Sequence, residues 1–168
     1  MKQELLALKE RIETELADIE RTAQRAQEAW KGANRFPEQQ EYYLDSVALN
    51  LHSFYNGVER IFDAIARQLD PVFPSGDRWH RDLLKQMVKE WPEARPAVIT
   101  GETEALLDDF LAFRHRIRSL YAFDVDAERL NLLLERLPEA LSQVRQDLER
   151  FGQLLAAAAS DSDTKTEV

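Results

Sequence analysis

Residues 38–69 read EQQEYYLDSVALNLHSFYNGVERIFDAIARQL. Leu44, Val47, Leu51, Phe54, Val58, Ile61, Ile65 and Leu69 recur every three or four positions, the period of one helix face. No strand alternation competes with that seam. Working outward, residues 2–31 carry the same pattern through Leu5, Leu8, Ile12, Leu16, Ile19, Ala23, Ala26 and Trp30, and Gly32 to Pro37 should end that helix. After the break at Pro71 to Gly76, a short third helix is expected from Asp77 as N-cap to about Trp91, with Trp79, Leu83 and Met87 on its face. A fourth is expected over residues 101–121 behind the cap Thr100, with a seam of Leu106, Phe110, Phe113, Ile117 and Leu120. A fifth starts near Asp124 or Asp126 and reaches about Leu155 through Leu130, Leu133, Leu137, Leu141, Val144, Leu148 and Phe151. Pro138 should kink or restart it. The expectation is therefore all-α: a bundle of five amphipathic helices, the long ones antiparallel, forming one domain over residues 1–155. The polar tail 156–168 should be flexible.

Composition agrees. The chain has 168 residues, 44% of them hydrophobic, enough for a single core. Only 5 Gly and 6 Pro stand against 32% charged residues, a balance that favours long helices. The absence of cysteine removes disulfides, thiolate metal sites and cysteine nucleophiles. Residues 1–30 show no apolar run of the signal-peptide kind, and no stretch approaches the roughly 18 to 20 apolar residues of a membrane span. A cytoplasmic protein with no membrane partner is expected. The net charge of −9 argues against general coating of nucleic acid, which needs a positive surface. It leaves room for a local basic site.

One such site stands out. Residues 113–121 read FRHRIRSLY, with three arginines and a histidine inside five positions. On a helix, Arg114, Arg118 and Tyr121 share a face at i, i+4 and i+7, flanked by Leu107 and Leu111. His115 and Ser119 lie on the far side. Stacked arginines repel unless an anion joins them, and the planar guanidinium fork suits phosphate oxygens. The face reads as a phosphodiester clamp beside an apolar strip that a second subunit can bury. The plainer alternative is that these arginines pair with the chain's own carboxylates.

Further candidates lie outside this segment. Ser46, Asn50, Ser53 and Gly57 form a small, polar stripe opposite the seam of the second helix. Either close helix packing or a polar pocket explains it, with Asn50 as the hydrogen-bonding candidate. His80, in Arg78-Trp79-His80-Arg81, can transfer protons near neutral pH or simply pack. His52 borders the apolar seam and reads as structural. No metal-ligand spacing, P-loop, dinucleotide fingerprint or nucleophile elbow is present, so no metal or cofactor is expected.

The segment around Arg114 resembles the signature of the HEPN superfamily, and within it the HepT-like toxins: an arginine, four residues, a histidine, one residue, a tyrosine. Arg114 and Tyr121 fill the outer positions, Ser119 takes the place of the histidine, and His115 is the polar residue after the arginine. The resemblance also covers residues 51–62, 75–84, 95–99 and 121–126. It implies a metal-independent endoribonuclease toxin of a type VII-like toxin–antitoxin pair. It further implies a homodimer with both motifs in an interfacial cleft. The cognate antitoxin is a minimal nucleotidyltransferase that transfers AMP to the motif tyrosine, here Tyr121. RNA contacts are expected from His115, Arg118, Asn50 and His80, and catalysis from Arg114 and position 119. A serine hydroxyl does not titrate near neutrality, and loss of an acid–base group costs about 10² to 10⁴ in rate. This chain is expected to be an inactive or impaired nuclease, with His115 a poor substitute. The alternatives are a non-catalytic HEPN module that binds RNA, nucleotide or a nucleotidyltransferase, and a plain helical interaction protein.

Overall fold

The computed structural model describes residues 1–119 and 124–164, the last three by backbone alone. Among these described residues five α-helices follow one another: α1 (Lys2–Arg35), α2 (Gln40–Leu69), α3 (Trp79–Val88), α4 (Gly101–Ile117) and α5 (Ala127–Thr164). A 3₁₀ turn, Pro37–Gln39, joins α1 to α2. Among the described residues there is no strand, only one antiparallel bridge between Trp91 and Arg95. No described helix is long and apolar enough to cross a membrane.

The expected seams become the core. Ile12, Ile19, Ala26, Val47, Leu51, Phe54, Val58, Ile61, Leu130, Leu137, Val144 and Leu148 are all buried in one cluster. The long helices run antiparallel. Gln68 of α2 donates to the Glu4 carbonyl of α1, Arg60 meets Glu15, and Gly57 meets Ile19, so residue numbers fall on one helix as they rise on the other. In the same way Arg145 of α5 pairs with Glu20, and Gly152 lies against Lys9. Two glycines allow the closest approaches. A Cβ on Gly57 would stand 2.6 Å from Cγ1 of Ile19, and one on Gly32 would overlap the Tyr43 ring. α1 ends at Arg35, inside the Gly32 to Pro37 stretch expected to stop it, with Gly32 itself still helical.

Other boundaries also move. Asp77 is not the cap of α3; the helix begins at Trp79 behind Arg78, with no side-chain cap bond. Thr100 does cap α4, accepting from the Thr103 N–H, and buried Asp147 of α5 accepts from the Thr100 N–H and the Thr103 hydroxyl. α4 stops at Ile117, short of the expected 121. Both the N–H and the hydroxyl of Ser119 donate to the Arg116 carbonyl, closing a tight turn where the helical pattern would have continued. Its buried face is also rotated: Thr103, Leu107, Phe110, Leu111, Phe113 and Arg114 are buried, and Leu106 only partly so. The strip of Leu107 and Leu111, expected to await a second subunit, is consumed by the chain's own core. α5 passes through Pro138 and continues beyond Leu155 to Thr164, with Ala159 buried.

α3 is only ten residues long, too short to hold itself. It is pinned from outside. Buried Arg95 chelates Asp70 at the end of α2 with Nε and Nη2, and Gln86 of α3 donates to the same carboxylate at 2.5 Å. Arg81 of α3 meets Asp108 of α4 at 2.6 Å. These ties fix α3 between the end of α2 and the middle of α4, and with it the side chain of His80.

Candidate functional site

Where α2, α3 and α4 meet, a charged side chain is turned into the protein. Arg114, one turn before the end of α4, lies on the same helix face as Leu107, Phe110 and Leu111 and is 11% exposed. Its Nε donates to Oδ1 of Asn56 at 2.7 Å, and its Nη2 stands 3.3 Å from Oε1 of Glu59. Its Nη1 lies 3.4 Å from Nε2 of His80. The other oxygen of Glu59 is 2.7 Å from Nδ1 of His80. A proton on Nδ1 and a lone pair on Nε2 of His80 satisfy both contacts, so one carboxylate and one imidazole together grip the guanidinium. Removing a lone charge from water is costly, and this mutual pairing is what allows Arg114 and Glu59 to be buried.

Asn56 extends the network. Its Oδ1 serves Arg114, and its amide nitrogen is 2.9 Å from Nε2 of His52. Among the described residues, Nδ1 of His52 is buried with no hydrogen-bond partner. Burial above all, and then the charges of Arg114 and Arg118, hold the His52 pKa below its ordinary value. His115 closes the rim: its ring meets that of His80 edge-on, with centroids 5.5 Å apart. Burial, followed by His80, Arg114 and Arg81, lowers its pKa as well. All three histidines of the chain thus gather around Arg114. Beneath them, Tyr55 is buried, and desolvation reinforced by the Glu59 charge pushes its phenol pKa up.

The residues singled out by sequence divide. Arg114, His80 and His115 come together. His80 has both ring nitrogens occupied and is 9% exposed, so it faces Arg114 rather than solvent. Arg118 and Ser119 are exposed in the turn after α4, and the Ser119 hydroxyl is spent on the Arg116 carbonyl at 3.0 Å. Asn50 is on the opposite face of α2 from Glu59 and about a third of a turn round from Asn56, 8% exposed, with its amide bonded to the Ser46 carbonyl at 2.8 Å. Tyr121 lies outside the described residues. Sequence reasoning missed Asn56 and Glu59 and assigned His52 to packing. The signal was available: His52, Asn56 and Glu59 fall at i, i+4 and i+7, a polar stripe bordering the apolar seam.

Chemically, the cluster presents a fixed cation with imidazoles on two sides. Arginine has five N–H donors, and the contacts to Asn56, Glu59 and His80 use no more than three. Donors therefore remain for an oxyanion reaching the end of α4, where exposed Arg116 and Arg118 add positive charge. Among the described residues, no group of three or more His, Asp or Glu is placed to hold a metal ion.

A protein-family model described as HepT-like protein matches residues 46–155. No curated protein and no solved structure matches the chain. The matched span contains every residue of the Arg114 cluster and reaches from α2 into α5.

Proposed function

The chain belongs to the HepT-like family of the HEPN superfamily, and from that premise we propose that it is the toxin half of a toxin–antitoxin pair, a metal-independent endoribonuclease weakened at position 119. The carrying observation is the buried Arg114 with Glu59, Asn56 and His80 holding it and all three histidines around it. RNA cleavage without a metal uses the ribose 2′-hydroxyl as nucleophile. It needs a proton acceptor and a cation for the charge that grows on the phosphorane. A guanidinium already locked in place stabilises that charge without reorganising at the moment of reaction. The RNA backbone lies against Arg114, with Arg118 and His115 at the rim and His80 beneath; Asn50 stands apart from this set.

A second copy completes the groove. Tyr42 and Leu49, 75% and 64% exposed, share one face of α2 at seven-residue spacing, and Asn56 follows seven residues later. Burying that face in a homodimer brings two copies of the Arg114 cluster toward one axis. The antitoxin is a minimal nucleotidyltransferase that places AMP on Tyr121. The added phosphate falls within a few residues of Arg114, Arg116 and Arg118, and occupies by charge and bulk the place of an RNA phosphate.

Ser119 also supports a second reading, a module that binds RNA without cutting it. One comparison separates the two. In EDTA, the Ser119→His protein should cleave single-stranded RNA about 10² to 10⁴ faster than the unchanged chain, leaving 2′,3′-cyclic phosphate ends. Arg114→Lys, which keeps the charge but not the planar fork, should remove most of that rate. RNA binding with no cleavage by any form would favour the second reading. Neither binding nor cleavage would overturn both.

A further inference from the structure

His115 differs from the other two histidines in what its nitrogens are doing. Both nitrogens of His80 are taken, by Glu59 and by Arg114. On His52, Nε2 is taken by Asn56 and Nδ1 is buried. His115 is exposed, and among the described residues neither of its ring nitrogens makes a hydrogen bond. It is also the neighbour of Arg114 in the chain and touches the ring that touches the guanidinium. Ser119, by contrast, is past the helix end with its hydroxyl donated to a carbonyl.

We propose that His115 is the proton acceptor of this chain's RNA cleavage, carrying the activity that remains in the absence of a histidine at position 119. The inference rests on the ribonuclease reading above. In the step, the 2′-hydroxyl gives its proton to a His115 nitrogen and the 2′-oxygen bonds to phosphorus. The P–O5′ bond breaks, the departing 5′-oxygen takes a proton from water, and a 2′,3′-cyclic phosphate and a 5′-hydroxyl result. His115 then returns its proton to solvent. Arg114 neutralises the phosphorane while Glu59, Asn56 and His80 hold it still.

The charges around His115 suit it to accept a proton at neutral pH. From α3 it faces His80 and Arg81, from its own helix Arg114, and from α2 Glu59. Partial desolvation first, and then the positive charge of Arg114 and Arg81, outweigh Glu59, so the imidazole stays neutral to lower pH than usual. A cleavage rate that depends on it should therefore fall on the acid side only below about 6.5.

The test uses four purified proteins: the unchanged chain, His115→Gln, Ser119→His and the double variant. Each is checked for an intact thermal transition, then assayed on single-stranded RNA in EDTA from pH 4.5 to 8. The unchanged chain should cleave slowly, and His115→Gln should be about 10²-fold slower and lose the acid limb. The double variant should cleave faster than His115→Gln alone, because a histidine at position 119 takes over the proton, while losing whatever His115 adds as an RNA contact. Equal rates for the unchanged chain and His115→Gln would overturn the proposal, as would cleavage by Ser119→His alone; the ribonuclease reading would survive either result. Cleavage by none of the four would remove both. A readout apart from turnover is the ring-proton titration of His115 with a non-cleavable 2′-deoxy oligonucleotide. Its pKa should rise when a phosphate sits beside it, and an unchanged titration with bound oligonucleotide would contradict the assignment.

Discussion

His52 carries the least comfortable atom in the cluster, a buried ring nitrogen with no partner among the described residues. Protonating that ring in the folded protein puts a charge in a desolvated place and, secondarily, beside Arg114 and Arg118, which is why its pKa is lowered. Once the chain unfolds, the ring returns to about 6.5. Between that value and the lowered folded one, the unfolded chain holds more protons, so stability rises with pH. The contribution is complete above pH 6.5 and is lost as the pH falls through the window beneath. His115 acts in the same direction. Melting temperature should drop from pH 7.5 to pH 5, and His52→Gln should flatten that dependence while leaving His115's share. Identical slopes in the two proteins would show that burial of the His52 ring does not contribute to the pH dependence. At this scale the sequence was only half legible. Arg114, His80 and His115 were visible because a histidine or a run of arginines is conspicuous in an acidic chain. Asn56 and Glu59 passed unnoticed, because a polar stripe with His52 at i, i+4 and i+7 looks like an ordinary solvated border of the seam. What makes them exceptional is the partner that α4 and α3 bring to them, and that is a tertiary fact.

Helices were more legible than their ends. The seams of α1, α2 and α5 are long, and a three–four repeat sustained over many turns fixes the buried side of a helix. α4 is shorter and carries apolar residues on several sides, so its inward face was misjudged by part of a turn, and with it the inward turn of Arg114. Its end is set by Ser119 bonding back to the Arg116 carbonyl, a local choice that periodicity does not register. The stripe of Ser46, Asn50, Ser53 and Gly57 left two readings open, close packing or a polar pocket. At Gly57 the answer is packing, since Ile19 of α1 occupies the space of its absent side chain. Gly57→Ala then sets two effects against each other. Helix propensity favours alanine by about 1 kcal/mol, and overpacking costs about 1–3 kcal/mol. A Cβ 2.6 Å from Cγ1 of Ile19 is too close to be absorbed without moving α1. The net effect should be destabilising by about 1 kcal/mol in chemical denaturation. Adding Ile19→Ala, which removes the opposing atom, should make the pair of changes cost less than their sum. Strict additivity, or a stabilising Gly57→Ala, would show that α1 and α2 are not in contact there.

For the molecule as a whole, the decisive quantity is how little positive charge it can offer a polyanion. Asp and Glu number 31 against 22 Lys and Arg, so the mean field repels RNA. Attraction must come from the short stretch in which Arg114, Arg116 and Arg118 alternate with His115 and Ile117 at the end of α4. Such a site makes few phosphate contacts, and the number is measurable. Each phosphate neutralised on a single strand releases about 0.7 of a counterion, and the slope of log K against log salt counts them. Three arginines predict a slope of about −2 for one copy, and about −4 if two copies share the groove. A short single-stranded RNA titrated across a salt series should fall in this range. Arg118→Gln should make the slope shallower by about 0.7 per copy, while Asn50→Ala, on the far face of α2, should leave it unaltered. Buried Arg114 is already balanced by Glu59, so its share of the slope should be the smallest of the three even though its loss should cost the most cleavage. A slope well beyond −4, insensitive to Arg118, would mean that the strand crosses a different surface and that the cluster around Arg114 serves only to hold α2, α3 and α4 together.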